Sequence, residues 1–234
     1  MFQGKMKAIT FSYDDGVVQD RRLISLLNKY GLKATFNLNS EWFGLKHIFQ
    51  SGGKPFEHIK IEASAVRKLY EGHEVAVHTL THPKLPSLSD EEVIRQVEQD
   101  RLNLSKLVGY EVIGMAYPGG GTNHDDRTAR LIRENTGVKY ARTIMCTGSF
   151  EFKQDMYKFK PSAHHLEAEG NTYELCKQFI EMQTDTAQLL YIWGHSYELD
   201  WDDRWGELEE IFKLISGRED IFYGTNREVF EQII

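Results

Sequence analysis

The sequence predicts an α/β fold: a distorted (β/α) barrel of about seven parallel strands, built as a single domain over residues 1–234. Three observations carry this. Short β-rich runs alternate with longer amphipathic ones along the whole chain, the pattern of a mostly parallel sheet covered by helices. A chain of 234 residues is long enough to close a sheet around a sizeable core and short for two such domains. No internal repeat, low-complexity segment or shift of composition marks a linker.

The elements follow in order. Residues 7–13 read as a strand and 20–30 as a helix, with Gly31 as its stop. Residues 34–39 are a second strand. The stretch 41–60 has no clear period and contains Gly44, Gly52, Gly53 and Pro55, which predicts a long loop of the kind that serves as a lid or binding element. Residues 62–71 look helical, closed by Gly72, and 74–78 form the third strand. Ser89, with Glu92 three residues on, makes a capping box for a helix reaching about Val108. A strand at 113–117, a helix at 125–134 and a strand at 139–144 come next. Residues 147–169 read as irregular. A helix at 172–183, a strongly apolar strand at 188–193, a helix at 204–215, a strand at 221–225 and a helix at 226–234 complete the chain.

Composition narrows the function classes. With 41% hydrophobic and 27% charged residues, the chain reads as an ordinary soluble globular protein. Its net charge of −7, with no Lys/Arg cluster, disfavours nucleic acid as a partner, because phosphate binding needs a concentrated basic surface. A neutral or amidated substrate is the easier fit. No run of about 18 apolar residues offers a membrane span. The N-terminus, MFQGKMKAITFSYDDG, has no apolar signal core and moves straight into strand-like sequence, which makes the cytoplasm the expected compartment. Cys146 and Cys176 fit no CxxC or zinc-finger spacing and read as small hydrophobes in or near the core.

Four segments at strand ends carry chemistry. Ser12-Tyr13-Asp14-Asp15-Gly16 leaves the first strand. Adjacent carboxylates there diverge, so one can bind a metal while the other faces a water, and Gly16 permits the tight turn. An Asp-Asp-Gly turn without function has the same pattern. His78-Thr79-Leu80-Thr81-His82 leaves the third strand. Histidines four apart meet on one face if a single helical turn follows the strand, and neutral imidazoles suit zinc and similar ions. Pro83 keeps His82 from continuing such a turn. Met115-Ala116-Tyr117-Pro118-Gly119-Gly120-Gly121 leaves another strand. Its glycines let backbone N–H groups approach a substrate oxygen, as an oxyanion hole requires, and on this stretch alone a flexible turn fits as well. Thr122 and Asn123 stand where a phosphate loop wants its lysine. Leu189-Leu190-Tyr191-Ile192-Trp193-Gly194-His195 is a buried-type strand ending in a histidine, which beside three other reactive strand ends reads as a general acid.

Together these segments resemble the polysaccharide deacetylase family (the NodB-homology proteins, carbohydrate esterase family 4), in its motif order from about Lys7 to His195. SYDDG resembles the family's TFDDG, HTLTH matches its H(S/T)xxH motif, and LLYIWGH is similar to its closing apolar strand. The resemblance implies a distorted (β/α) barrel, with Asp14 as general base, Asp15, His78 and His82 as metal ligands, His195 as general acid and Thr79 as support for the histidine loop. It implies a divalent metal, Zn²⁺ first, with Co²⁺, Ni²⁺ or Fe²⁺ as alternatives. It also implies a hydrolase acting on an amide bond other than a peptide bond, removing acetyl groups, N-acetyl above all, from a carbohydrate. A backbone N–H near Tyr117, Pro118 and Gly119 would face the oxyanion. One departure stands out. The family's third motif begins with an arginine that orients the catalytic aspartate, and Ala116 occupies that position here. Either Arg142, near the fifth strand end, supplies the missing charge, or it is a surface arginine.

The remaining polar residues read as follows. His164 and His165 read as exposed loop histidines, with a place lining the cleft as the alternative, and Glu198, Asp200, Asp202 and Asp203 form a solvated acidic loop. His47, His58, His73 and His124 are surface residues. Trp193, Trp201, Trp205 and Tyr197 cluster around His195, as sugar-stacking faces or as core. No acidic partner for His195 is evident. Two further functions stay open: an amidohydrolase of the same superfamily acting on a small non-sugar amide or cyclic imide, and a non-catalytic carbohydrate-binding protein.

Overall fold

All eight residues of the first strand, β1 (Lys7–Asp14), are buried, which suits a central parallel strand covered on both faces. The structure is a computed structural model describing residues 1–51, 54–167, 171–201 and 203–232. Gly52, Gly53, Asp202 and the residues at 168–170 and 233–234 lie outside the described residues. The elements after β1 are α1 (Asp20–Lys29), β2 (Ala34–Leu38), β3 (Lys46–Ser51), β4 (Lys54–Ile59), α2 (Ala63–Leu69), β5 (Glu74–Val77), α3 (Asp90–Val108), β6 (Gly114–Ala116) and α4 (Asp126–Asn135). They continue with β7 (Tyr140–Arg142), β8 (Ala163–His164), α5 (Asn171–Glu181), β9 (Gln188–Gly194), α6 (Glu198–Trp201), α7 (Trp205–Ile215), β10 (Ile221–Tyr223) and α8 (Asn226–Phe230).

The main sheet runs β7-β6-β5-β2-β1-β9-β8, and every ladder in it is parallel. β1 divides one edge between two partners: its first half pairs with β10 and its second with β2. The sheet curls, and the segment between Met156 and His165 spans its two edges. Ala141 and Thr143 donate to the carbonyls of Met156 and Phe159 on one side, while Ser162 and His165 donate to those of Tyr191 and Trp193 on the other. The result is the predicted distorted barrel in a single α/β domain. Its core runs through the sheet into the helices, as where Phe11 meets Phe212 of α7 edge-on at 5.1 Å. Ser89 caps α3 by accepting the Glu92 N–H, and Gly109 ends that helix in the left-handed region. Among the described residues, no helix is long and apolar enough to cross a membrane.

Two readings change here. The stretch 41–60 is not one long loop. It holds an antiparallel hairpin, β3 on β4, whose register pairs Lys46 with Ile59 and Ser51 with Lys54. The irregular stretch 147–169 contains β8, two residues paired to β9. The cysteines are both free; Cys176 is buried as expected, but Cys146 is exposed.

Candidate active site

Because the sheet is parallel, the C-terminal ends of β1, β5, β6, β7 and β9 open on the same side, where residues leaving them meet. Asp15, His78 and His82 converge there, with one ligand atom from each within 4.8 Å of the others. The turn after β1 places Asp15 and Gly16 in the left-handed region in succession, at φ 83° and 60°. A Cβ on Gly16 would come within 2.7 Å of Leu38 Cδ2, so a side chain there would have to displace the Leu38 methyl as well as strain the backbone.

The His78–His82 segment is not the single helical turn expected from its spacing. Thr79 and His82 are left-handed (φ 70° and 54°), and Thr79 Oγ1 accepts the His82 N–H at 3.1 Å, closing the loop. Non-glycine residues in that region cost about 1–3 kcal/mol each and persist where the surroundings over-determine them. Two side chains do so here. The Asp100 carboxylate on α3 takes the backbone N–H groups of Ser40 and His78 at 2.8 and 3.2 Å. Asn39 Nδ2 donates to the carbonyls of His78 and Thr79 at 2.6 and 3.0 Å.

These residues fit a divalent ion. His78 Nδ1 lies 2.9 Å from the Ala116 carbonyl, which fixes the proton on that nitrogen. Its Nε2 is left buried with no hydrogen-bond partner among the described residues. Burial pushes His78 down to about 4 and also lowers His82, so both imidazoles are neutral, the ligating form. Burial alone would raise Asp15, but Lys60, His58 and the neighbouring histidines hold its carboxyl well below the usual range. An anionic carboxylate and two neutral imidazoles, one of them with its Nε2 orphaned, make a set suited to a first-row divalent ion.

Asp14 lies beside this triad, its Oδ2 4.0 Å from His78 Nε2. Arg142 is fully buried and its Nη2 reaches Asp14 Oδ1 and Oδ2 at 2.6 and 2.5 Å, while Nε donates to Ser12 Oγ. Asn37 Nδ2 adds a bond to Asp14 Oδ1 at 2.8 Å. Arg142 is therefore not a surface arginine. Ala116 and Arg142 are Cα partners on the neighbouring strands β6 and β7, so the guanidinium enters the site one strand away from the position where Ala116 leaves a gap. Burial would raise Asp14, but Arg142, His78 and His195 together hold it below its ordinary value.

On the far side of the triad, His195 Nε2 lies 4.0 Å from Asp15 Oδ2 and its Nδ1 3.2 Å from Glu198 Oε1. Glu198 is the acidic partner that the sequence did not reveal, and it is not part of a solvated loop. Its Oε2 accepts the His195 backbone N–H at 3.0 Å and faces His165 Nε2 at 2.9 Å and His164 Nε2 at 3.1 Å. Burial would lower His195, but Glu198, helped by Asp15 and Asp14, holds it up to about 9. Burial would raise Glu198, and the three histidines keep it far below its ordinary value. His165 is buried rather than exposed, and burial pushes it down to about 4. His164 Nδ1 accepts the Leu166 N–H, which leaves its Nε2 as the nitrogen facing Glu198 Oε2 at 3.1 Å, so three imidazoles gather on one carboxylate beside the site. Gly194 leaves room for this arrangement, since a Cβ there would overlap the His165 ring. Gly194→Ala is expected to displace that ring and cost about 1–3 kcal/mol, read as a lower midpoint in urea denaturation.

Two more histidines expected at the surface are buried. His73 packs under β2, its Nδ1 accepting the Ala34 N–H. His58, at the end of the hairpin, has its Nε2 3.5 Å from Asp15 Oδ2. Of the aromatic residues, Trp205 is core and Trp201 is exposed, while Trp193 and Tyr197 line the site. The cavity measures about 240 Å³ and is walled by Asp14, Asp15, His78, His82, Tyr117 and Ile144 among others. That is below the roughly 300–1,000 Å³ of a site enclosing a whole drug-sized ligand, so it suits one small arm of a larger molecule. Of the three residues expected to face an oxyanion, the Tyr117 N–H is consumed by the Arg142 carbonyl at 3.0 Å and Pro118 has none. Gly119 lines the cavity, as does Gly120.

Comparison with known proteins fits this geometry. A family-level match, described as Polysaccharide deacetylase, covers residues 3–141. The chain belongs to the polysaccharide deacetylase family. The peptidoglycan-N-acetylmuramic acid deacetylase PdaC of Bacillus subtilis (strain 168) is 28% identical over 124 residues, 52% of this chain but only 23% of that protein. Among solved structures, peptidoglycan deacetylase PdaC from Bacillus subtilis gives a TM-score of 0.56 at 18% identity, covering 97% of this chain and 91% of that one. The Xyl-CE4 domain of a multidomain xylanase from the hindgut metagenome of Trinervitermes trinervoides gives 0.57 at 16% identity, covering 97% and 90%. Deacetylase PplD from Streptococcus pyogenes gives 0.51 at 20% identity, covering 64% and 61%. At these identities the structural likeness speaks for the fold, the distorted barrel read above.

Proposed function

We propose that the protein is a metal-dependent deacetylase that hydrolyses acetamido groups on a carbohydrate, releasing acetate and a free amine. The observation that carries this reading is the order of groups across the cavity: anionic Asp14, the Asp15–His78–His82 ligand set with its orphaned imidazole nitrogen, then protonated His195. Bound by that set, Zn²⁺, or Co²⁺, Ni²⁺ or Fe²⁺ in its place, supplies Lewis-acid activation of a water and of the acyl carbonyl. Asp14, kept ionised by Arg142, takes the proton of the attacking water. The Gly119 N–H donates to the acyl oxygen as it gains charge. His195 Nε2 gives its proton to the departing nitrogen as the C–N bond breaks, with Glu198 holding the imidazolium in place. The family and the PdaC relative point to acetylated glycans such as peptidoglycan as the substrate class.

The test is acetate release from N-acetylglucosamine oligomers and peptidoglycan fragments. Chelation should abolish turnover, Zn²⁺ or Co²⁺ should restore it, and His78→Ala should bind no stoichiometric metal. Full turnover by metal-free protein would end the proposal. The small cavity and the hairpin beside it favour a second reading, hydrolysis of a small amide or cyclic imide. Turnover of simple imides in the same assay, with glycans inert, would select it.

A further inference from the structure

We infer that Lys60 is a positioning residue of the metal centre, an internal cation that holds the Asp15 carboxylate and shares its charge, and so limits how tightly the centre takes a divalent ion. The inference rests on the metal-centre reading above. Its basis is the way the hairpin is stitched to the turn that carries Asp15. Lys60 follows β4 directly and bridges antiparallel to Val17. The Val18 N–H donates to the Ile59 carbonyl and the Ile61 N–H to the Gly16 carbonyl, both at 2.9 Å. The backbone on both sides of Lys60 is thereby locked to the residues just after Asp15.

The side chain is as constrained as the backbone. Lys60 is 2% exposed at its side chain. Its Nζ donates to the Asp15 carbonyl at 2.6 Å, to Asp15 Oδ1 at 3.1 Å and to Asn39 Oδ1 at 3.2 Å. An ammonium has three protons, and all three are used. The Trp42 ring covers it, with the centroid 5.2 Å from Nζ. Lys60 therefore cannot swing away when another cation approaches Asp15. Through Asn39 it also reaches the carbonyls of His78 and Thr79, so one ammonium links the loops that carry the three ligands.

The oxygen it occupies is the one on the ligand side. Asp15 Oδ1 is the carboxylate atom 3.9 Å from His82 Nε2. An ion held by Asp15 must share that carboxylate with Lys60. The centre's fixed charges, Asp14 and Asp15 against Arg142 and Lys60, already cancel. Two roles for Lys60 then predict opposite signs. As a brace alone, its loss would loosen Asp15 and weaken metal binding. As a competing cation in a buried site, where the effective dielectric is about 20 rather than about 80, its repulsion of a dication exceeds the net worth of the hydrogen bond to Oδ1. The second effect wins, so removing the charge tightens the metal.

The experiment is a Zn²⁺ titration against a chromophoric chelator, with the Co²⁺ absorption spectrum as a report on the ligand set. Wild type, Lys60→Met, Lys60→Gln, Lys60→Arg and His78→Ala are compared in the 234-residue chain. One equivalent should bind to wild type and to each Lys60 variant with the same Co²⁺ bands. Affinity should rise about tenfold or more in Lys60→Met and Lys60→Gln and return to within about threefold of wild type in Lys60→Arg. Lys60→Gln keeps a hydrogen-bonding head, so it reads the charge even if Lys60→Met folds poorly. Unchanged or weaker binding in the neutral variants would overturn the inference. Failure of wild type to bind, or binding by His78→Ala as tight as wild type, would instead overturn the metal-centre reading.

Discussion

Arg142→Ala should lose about 10²–10⁴-fold in kcat/KM, the scale of a general base put out of action, and about 3–5 kcal/mol of stability. The loss comes from what remains. Asp14 is 2% exposed, and Arg142 grips both of its oxygens. Without the guanidinium, burial, the largest influence on this carboxyl, acts with only His78, His195 and the Asn37 amide against it. Its pKa climbs, and a base that must be ionised is protonated at the working pH. The sign for stability follows. Folding depresses the Asp14 pKa below its ordinary 3.8, so its contribution is present above that value and lost as the pH falls through the depressed one. In Arg142→Ala the folded-state pKa stands above 3.8 and the sign reverses: ionising the buried carboxyl costs stability at high pH, and that cost disappears as the pH falls through the raised value. Denaturation midpoints and pH–rate profiles of the two proteins check both statements. An unchanged acidic limb would contradict the role given to Arg142.

Glu198→Gln should move the basic limb of the pH profile down. A general acid works while protonated, and activity falls as the pH rises through its pKa. Glu198 is the chief reason His195 stands at about 9 rather than 6.5, since burial pulls the other way. With the anion gone and the shape kept, the pKa returns to 6.5 or below. At pH 8 the protonated fraction then falls about thirtyfold, and turnover with it, while at pH 6 the two proteins should differ much less. Stability shifts in the matching direction. The raised pKa contributes stability that is fully present below 6.5 and lost as the pH passes about 9, so wild type should lose stability across that window and Glu198→Gln should not. A uniform loss at all pH values would mean that Glu198 only holds the fold.

The reasons why parts of this site were legible in the sequence are physical. Asp14, Asp15, His78 and His195 each lie at or one residue past a strand end, with His82 four residues on from His78, and a parallel sheet gathers its C-terminal ends whatever the helices do. Local sequence thus sufficed to group them. Arg142 was visible as a candidate but not decidable, because its place depends on the register that sets it beside Ala116. Glu198 lies three residues after His195, a spacing that brings side chains together only if the chain turns there, as it does just before α6, where the Glu198 N–H donates to the His195 carbonyl at 3.1 Å. His164 and His165 look solvated in sequence; the pairing of Ala163 and His164 with β9 half-buries His164 and carries the next residue, His165, into the interior. Asp100 did leave a trace. It falls in step with Val93, Val97 and Leu104 on the apolar face of α3, where a carboxyl needs a reason. The hairpin had its mark as well, since Gly52-Gly53 between two short runs is hairpin chemistry, although the mixed polar and apolar sequence of those runs hid it. Lys60 could not have been found without that hairpin.

Anomalous scattering from crystals grown with Zn²⁺, measured on both sides of the zinc edge, tests the central claim most directly. The account predicts one strong peak bounded by the Asp15 carboxylate, His78 Nε2 and His82 Nε2, with Asp14 and His195 outside the ligand sphere on opposite sides. No peak there, or a peak seated instead on His164, His195 and Glu198, would contradict it.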